Sequence, residues 1–139
     1  LYDELAFGLG LFEGIDGKKA LLVFTDGLDE GSRLDFRGAM KVARSAGVLV
    51  YPVGLTSRTG REARGRLREL AAETGGRAFF IGGLAALVPI YGSIAKDLGL
   101  RYLLAYQSSN AEAGGNFREI ELRVVEPGLE VRSMRGYFP

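Results

Sequence analysis

Short apolar runs alternate with amphipathic stretches along the chain as far as Leu100. Residues 20–24 and 48–53 are continuous apolar runs, which suit strands buried on both faces of a parallel sheet. The pattern predicts strands at 19–25, 48–53 and 77–81 and helices at 2–13, 36–46, 62–74 and 84–98. Because strand alternates with helix, we expect βαβ units, right-handed crossovers and a mainly parallel sheet.

Two of the predicted helices carry more detailed signals. The helix at 36–46 follows Ser32 and Asp35, which resemble a capping box with Asp in place of Glu, and it is expected to end at Gly47. The helix at 84–98 has the most regular pattern, with apolar residues at the spacing of one amphipathic face. These residues are Leu84, Leu87, Val88, Tyr91, Ile94, Ala95 and Leu98.

Beyond Leu100 the pattern changes to strands without intervening helices. Three strands are predicted at 102–107, 117–125 and 129–138, with turns at 108–116 and 126–128. Apolar and charged residues alternate between 119 and 124, which indicates a strand with one solvated face. The predicted fold class is therefore α/β, a Rossmann-like, mainly parallel sheet with helices on both faces at 1–100 and an antiparallel β appendage at 101–139.

The composition narrows the class of protein. The chain has 139 residues, the length of one domain with or without an appendage, and 47% of them are hydrophobic. No apolar run reaches the length of a membrane span, so none is predicted. Lys and Arg number 18 against 17 for Asp and Glu, and this net charge of +1 gives no reason to expect a nucleic-acid partner.

Cysteine and histidine are both absent from the chain. It therefore cannot supply a disulfide, a thiolate or histidine zinc site, or a Ser-His-Asp triad. The chain starts at Leu1 with no methionine and no signal peptide, so we interpret it as an excised piece of a longer protein.

A polar loop follows the strand at 19–25 and carries the main candidate chemistry. Asp26 stands at the carboxyl end of that strand, where ligands bind in open α/β sheets. A short loop rich in oxygen atoms suits a hard cation, and Asp26 is the candidate metal-binding residue. The residues expected to shape this loop or to support the ligand are Thr25, Gly27, Asp29, Glu30 and Ser32. The alternative is that Asp26 caps a turn by bonding its own backbone.

The residues alone are compatible with other functions at the carboxyl end of the sheet. Ser57 and Thr59 follow the neighbouring strand and are candidates for contact with a partner. A metal-assisted phosphoryl or ester hydrolase is the enzymatic alternative, although the chain lacks histidine and shows no pair of nucleophile and base. The third possibility is that the chain is a purely structural piece that binds no metal. A binding module is the preferred interpretation, and no enzymatic activity is predicted.

Three features together resemble a von Willebrand factor type A domain. The first is the apolar strand that ends in Phe24-Thr-Asp-Gly27, followed by acidic residues. The second is the segment Ala71-Ala-Glu-Thr-Gly-Gly-Arg-Ala-Phe79, which is similar to a helix-to-strand step of that family. The third is the order and spacing of the helices and strands. The strands after Tyr102 resemble a bacterial branch that appends β structure, so the resemblance covers nearly the whole chain but only the latter half of the family domain.

The resemblance implies a function in adhesion or protein interaction. In that family a metal-ion-dependent adhesion site holds Mg²⁺, or Mn²⁺ or Ca²⁺, and the acidic side chain of a protein partner completes the coordination. Asp26 matches one ligand of that site. The other ligands are an Asp-x-Ser-x-Ser motif and a threonine, which this chain does not contain at the corresponding places, so the resemblance implies an incomplete ligand set here. The bacterial branch is mostly exported, which implies a periplasmic or extracellular location.

The resemblance also implies that the strand at 19–25 lacks a neighbour on one side. An apolar edge with unpaired backbone groups is a template for association. We therefore expect this strand to pair with another copy of the chain or to be covered by part of the β appendage.

Overall fold

The computed structural model describes residues 1–55, 57–102, 104–109, 115–129 and 131–138 of the chain. Its elements in chain order are α1 (Tyr2–Gly10), β1 (Ala20–Thr25), α2 (Phe36–Ala46), β2 (Leu49–Leu55), α3 (Arg61–Thr74), β3 (Phe79–Ile81), α4 (Leu87–Gly99), β4 (Arg118–Glu119) and β5 (Gly136–Tyr137). A turn of 3₁₀ helix, Leu84–Ala86, precedes α4. The predicted mixture of helices and strands is confirmed.

The first three strands form a parallel sheet in the order β1-β2-β3. Leu22 lies beside Tyr51, and Val53 lies beside Phe79. The central strand β2 is the most buried, because it has a strand on each side and side chains packed on both faces. The predicted parallel sheet is confirmed, and β1 lies at one of its edges.

Two apolar clusters lie on opposite sides of β2, because successive side chains of a strand alternate between its faces. One cluster joins Val48 and Val50 to α1, α2 and Leu70 of α3. The other joins Tyr51 and its neighbours to β3 and α4. Helices therefore cover both faces of the sheet, and the two cores hold β2 in its central position.

The ends of α2 follow from local chemistry. The carboxylate of Asp35 accepts a hydrogen bond of 2.7 Å from the backbone N–H of Gly38, which caps the first turn. The cap is therefore Asp35 alone, and Ser32 takes a different role, described below. The helix ends at Gly47, whose φ of 61° is the left-handed conformation that glycine tolerates best.

The structure corrects the expectation that α4 and its 3₁₀ turn have one buried apolar face. Ile90 and Ile94 are buried against the sheet, but Leu84, Val88 and Tyr91 are exposed, with Val88 at 78%. The apolar residues of this segment extend over more of the helix surface than the three-stranded sheet can cover. An apolar face of α4 is therefore left in contact with solvent.

The C-terminal segment also differs from the prediction. Its described residues form one antiparallel pair of two-residue strands, β4 and β5, instead of three longer strands. Positions 103, 110–114 and 130 of the predicted strands and turns lie outside the described residues. Leu122 and Val124, on the expected inward face, are exposed. A strand gains little without an apolar face to bury, which accounts for the short pairing.

The segment is instead held against the ends of α2 and α3. The carboxylate of Glu73, which is buried, accepts a hydrogen bond of 2.8 Å from Arg44 and lies 3.4 Å from the guanidinium of Arg135. The backbone carbonyl of Glu73 also accepts from the N–H of Arg135. The rings of Phe117 and Phe138 lie close to the cationic groups of α2.

No described C-terminal strand pairs with β1, because β4 and β5 form a separate sheet. Among the described residues, no helix is both long and apolar enough to cross a membrane.

Candidate functional site

A groove of about 640 Å³ lies beside the open edge of β1. Leu5 and Gly8 of α1 form one wall, and Leu22 and Phe24 of β1 form another. The groove exists because β1 is an edge strand, so nothing in the described part of the chain fills the space beside it. The loop after β1 closes one end of the groove.

Asp26 stands at that end and takes part in a tight turn. Its Oδ1 accepts a hydrogen bond of 3.1 Å from the N–H of Leu28, and the hydroxyl of Thr25 accepts one of 2.9 Å from the N–H of Gly27. These bonds are the turn-capping arrangement that competed with the metal-ligand interpretation of Asp26. The side chain still lines the groove, so the turn presents a carboxylate at its end.

Asp29 and Ser32 form a cap for a different helix, α1. The hydroxyl of Ser32 donates to Asp29 at 2.5 Å, and the two side chains accept hydrogen bonds of 3.1 Å from the N–H of Tyr2. The hydrogen bond from Ser32 is the main cause that lowers the pKa of Asp29 to about 2, and the N–H of Tyr2 and the Leu1 amine contribute. Asp29 is therefore an anion that accepts from the first N–H of α1, and Ser32 also accepts from the next one, that of Asp3.

Asp3 makes the reciprocal contact from α1 to the same loop. Its carboxylate accepts hydrogen bonds of 2.8 and 2.9 Å from the N–H groups of Arg33 and Leu34. The bond from Arg33 is the largest cause that lowers the pKa of Asp3. Two carboxylates thus tie α1 and the loop together. Sequence reasoning missed this connection, because its partners lie far apart along the chain.

The acids of the loop consequently do not converge on one point. Asp26 bonds its own turn, Asp29 caps α1, and Glu30 is exposed at the rim of the groove. The described residues contain no group of three or more Asp, Glu, His or Cys side chains that could hold a metal ion. Ca²⁺ takes about six to eight oxygen ligands, and Mg²⁺, which keeps several waters, is still held by one or two carboxylates together with a further ligand. The described donor set therefore does not fit the cation that the resemblance implies.

The two residues after β2 differ in accessibility. Ser57 is exposed, whereas Thr59 is only 4% exposed and its hydroxyl donates to the carbonyl of Leu55 at 2.8 Å. The methyl group of Thr59 lies under Gly27. Thr59 therefore supports the turn from below, and its buried position does not fit the expected contact with a partner.

The groove also has an apolar rim that the sequence did not indicate. Phe24 is 54% exposed and Leu28 is 57% exposed. The continuous apolar run predicted burial of Phe24 on both sides, but burial is incomplete because β1 has a strand on one side only. Leu28 could have been noticed as an apolar residue within an acidic loop.

Comparison with known proteins gives one likeness at the level of fold. No family model matches the chain, and no curated protein matches it. The crystal structure of an uncharacterized membrane-spanning protein from Vibrio fischeri is similar, with a TM-score of 0.51 and 23% sequence identity over 64% of this chain. The match spans 53% of that protein, about half of its length. At this identity the likeness concerns the fold alone.

Proposed function

We propose that this chain is a protein-interaction module with the Rossmann-like architecture of a von Willebrand factor type A domain. The observation that carries the proposal is the groove beside β1, where exposed apolar side chains adjoin carboxylates at the end of a strand. Export from the cell, which the resemblance implies, belongs to the same proposal.

The apolar part of the groove supplies the affinity in this proposal. Phe24 and Leu28 remain largely exposed although they lie next to a well-packed core. Covering apolar surface contributes about 25 cal/mol per Å², so a partner that covers both side chains gains several kcal/mol before the costs of association. Exposed apolar side chains grouped at a groove are typical of interaction surfaces.

The carboxylates supply the specificity. Asp26, Glu30 and Glu4 all line the groove and give one end of it a negative charge. An acidic side chain of a partner would be repelled there unless a divalent cation compensated the charge. Because the described donor set does not fit a cation, binding of Mg²⁺, Mn²⁺ or Ca²⁺ requires ligands beyond those that the described residues provide.

The first experiment is a calorimetric titration of the chain with Mg²⁺ and Mn²⁺. The variants are Asp26→Ala and, as a matched control, Asp16→Ala, which removes an exposed carboxylate outside the groove. Circular dichroism verifies that all three proteins are folded. Given the scattered donors, we expect at most weak binding, and any saturable heat should disappear in Asp26→Ala and persist in Asp16→Ala.

Two outcomes would contradict the proposal. Saturable binding that Asp26→Ala leaves unchanged would place the cation elsewhere. Turnover of phosphate or carboxylate esters that depends on metal and vanishes in Asp26→Ala would make the chain a hydrolase.

A further inference from the structure

The open edge of β1 offers a regular set of unpaired backbone groups. The carbonyl of Lys19 accepts a hydrogen bond from the N–H of Leu49, so Lys19 directs its backbone groups toward β2. These directions alternate along a strand of a parallel pair. The N–H and C=O groups of Ala20, Leu22 and Phe24 therefore point away from β2, and the described residues provide no partner for them.

Both faces of β1 are already apolar at this edge. Ala20 and Leu22 pack with the cluster under α4, whereas Leu21 and Val23 pack with the cluster under α1 and α2. An incoming strand would therefore extend two existing core layers. The helix α1, which forms a wall of the groove, also carries the exposed side chain of Phe7, and Leu11 directly after the helix is exposed as well.

We propose that this edge pairs with the β1 edge of a second copy, in antiparallel orientation about a two-fold axis. The two three-stranded sheets then form one continuous sheet, and each copy presents the same surface to the other. Two-fold symmetry requires that one residue lies opposite its own copy, because residues directly opposite each other share a face of the sheet. The remaining question is which residue lies on the axis.

The charges on either side of β1 favour Leu22 as the residue on the two-fold axis. With Leu22 opposite Leu22, Lys18 of each copy lies opposite Asp26 of the other, which forms two ion pairs related by the symmetry. The small side chain of Ala20 then lies opposite the large ring of Phe24. Lys18 already donates one hydrogen bond, to the carbonyl of Leu98 at 2.9 Å, and its ammonium group has two further donors.

A shift of the axis by one residue, to Val23, would lose this arrangement. Asp26 would then lie opposite Ala20 and Lys18 opposite Leu28, so both charges would face apolar side chains. The second copy is favoured over an unrelated strand because Lys18 and Asp26, which flank β1, supply both complementary charges.

The test is the mass of the full chain in solution, measured by sedimentation equilibrium without added divalent cation. Because no divalent cation is present, the measured mass does not depend on whether the cation binding in the proposed function is correct. We expect a reversible dimer. Lys18→Glu places like charges opposite each other twice and should weaken the dimer about tenfold or more. The double variant Lys18→Glu/Asp26→Lys restores opposite charges and should recover the dimer.

The matched control for the charge exchange is Lys19→Glu. Lys19 lies opposite Thr25 in this register, so its substitution should leave the dimer nearly unchanged. Monomeric protein at every concentration would overturn the proposal. A dimer that Lys18→Glu leaves intact, or that the double variant fails to recover, would overturn it as well.

Cysteine cross-linking tests the register directly, because the chain has no cysteine of its own. Opposed residues in an antiparallel pair have Cα atoms about 5.5 Å apart or closer, within the range of a disulfide. Leu22→Cys should therefore form a covalent dimer on mild oxidation. Val23→Cys should not, because the two copies of Val23 lie more than about 7 Å apart. Cross-linking of Val23→Cys in preference to Leu22→Cys would overturn the register.

Discussion

At the scale of single residues, Gly27 is the position where the turn after β1 tolerates least change. Its φ is +82°, and a Cβ atom placed there would lie 2.8 Å from the Cβ of Ala63. That neighbour is attached directly to the backbone of α3 and cannot rotate away. The turn that presents Asp26 thus depends on the absence of a side chain one residue later.

We expect Gly27→Ala to destabilise the protein by about 2–4 kcal/mol, because left-handed strain and overpacking add together. Gly31→Ala is the matched control, since Gly31 has a similar φ of +78° but no atom within 4 Å of the added Cβ. Gly31→Ala should lower the free energy of unfolding by only about 1–2 kcal/mol. Unfolding in urea measures both values. Equal losses for the two variants would contradict the packing argument.

At the scale of elements, the loop before α2 and the first turn of α1 stabilise each other. Asp29 and Ser32 accept hydrogen bonds from the backbone of α1, and Asp3 accepts two from the backbone of the loop. The loop that borders the groove is therefore held in place by hydrogen bonds to the first turn of α1. The same contacts keep Asp29 ionised.

This arrangement has a definite pH dependence. The pKa of Asp29 is lowered from 3.8 to about 2 in the folded state, so its contribution to stability is complete above the unfolded pKa. That contribution is lost as the pH falls from about 4 through 2. We expect the free energy of unfolding to fall less steeply over this range in Asp29→Asn than in the parent chain.

A second variant identifies the cause of the shift. Ser32→Ala removes the hydrogen bond that lowers the pKa of Asp29 most, so this pKa should rise toward its ordinary value. Titration of the Asp29 carboxyl by NMR measures it. A pKa near 4 already in the parent chain would show that the cap does not form.

At the scale of the whole molecule, Glu73 connects the C-terminal segment to the α/β part. Its buried carboxylate contacts Arg44 of α2 and Arg135, and its carbonyl accepts from the backbone of Arg135. The outer edge of β1, by contrast, pairs with no strand among the described residues. Among the described residues this edge of the sheet is therefore open, which is why the proposed interactions lie at β1.

We expect Glu73→Ala to cost about 2–3 kcal/mol of stability, because it leaves Arg44 partly buried without its carboxylate. Glu121→Ala removes an exposed ion pair with Arg123 and should cost less than about 1 kcal/mol. Denaturation curves of both variants give the comparison. If Glu73→Ala were as stable as Glu121→Ala, Glu73 would not be the anchor of the C-terminal segment.

As far as Leu100, the sequence by itself determined the elements and their order. The apolar runs marked β1 and β2, Gly47 marked the end of α2, and the alternation of strand and helix implied a parallel sheet. It also located Asp26 at the carboxyl end of β1. These features could be predicted because periodicity, caps and turns are encoded by neighbouring residues.

Only the tertiary structure decided which of these side chains are available. Ser32 bonds Tyr2 across 30 positions of the chain, Thr59 lies buried under a turn from another strand, and Phe24 and Val88 are exposed despite their apolar patterns. Local patterns report how a segment is built, but not what lies beside it in space. Burial and hydrogen bonding depend on those distant neighbours, and an apolar residue is buried only where another layer exists to cover it.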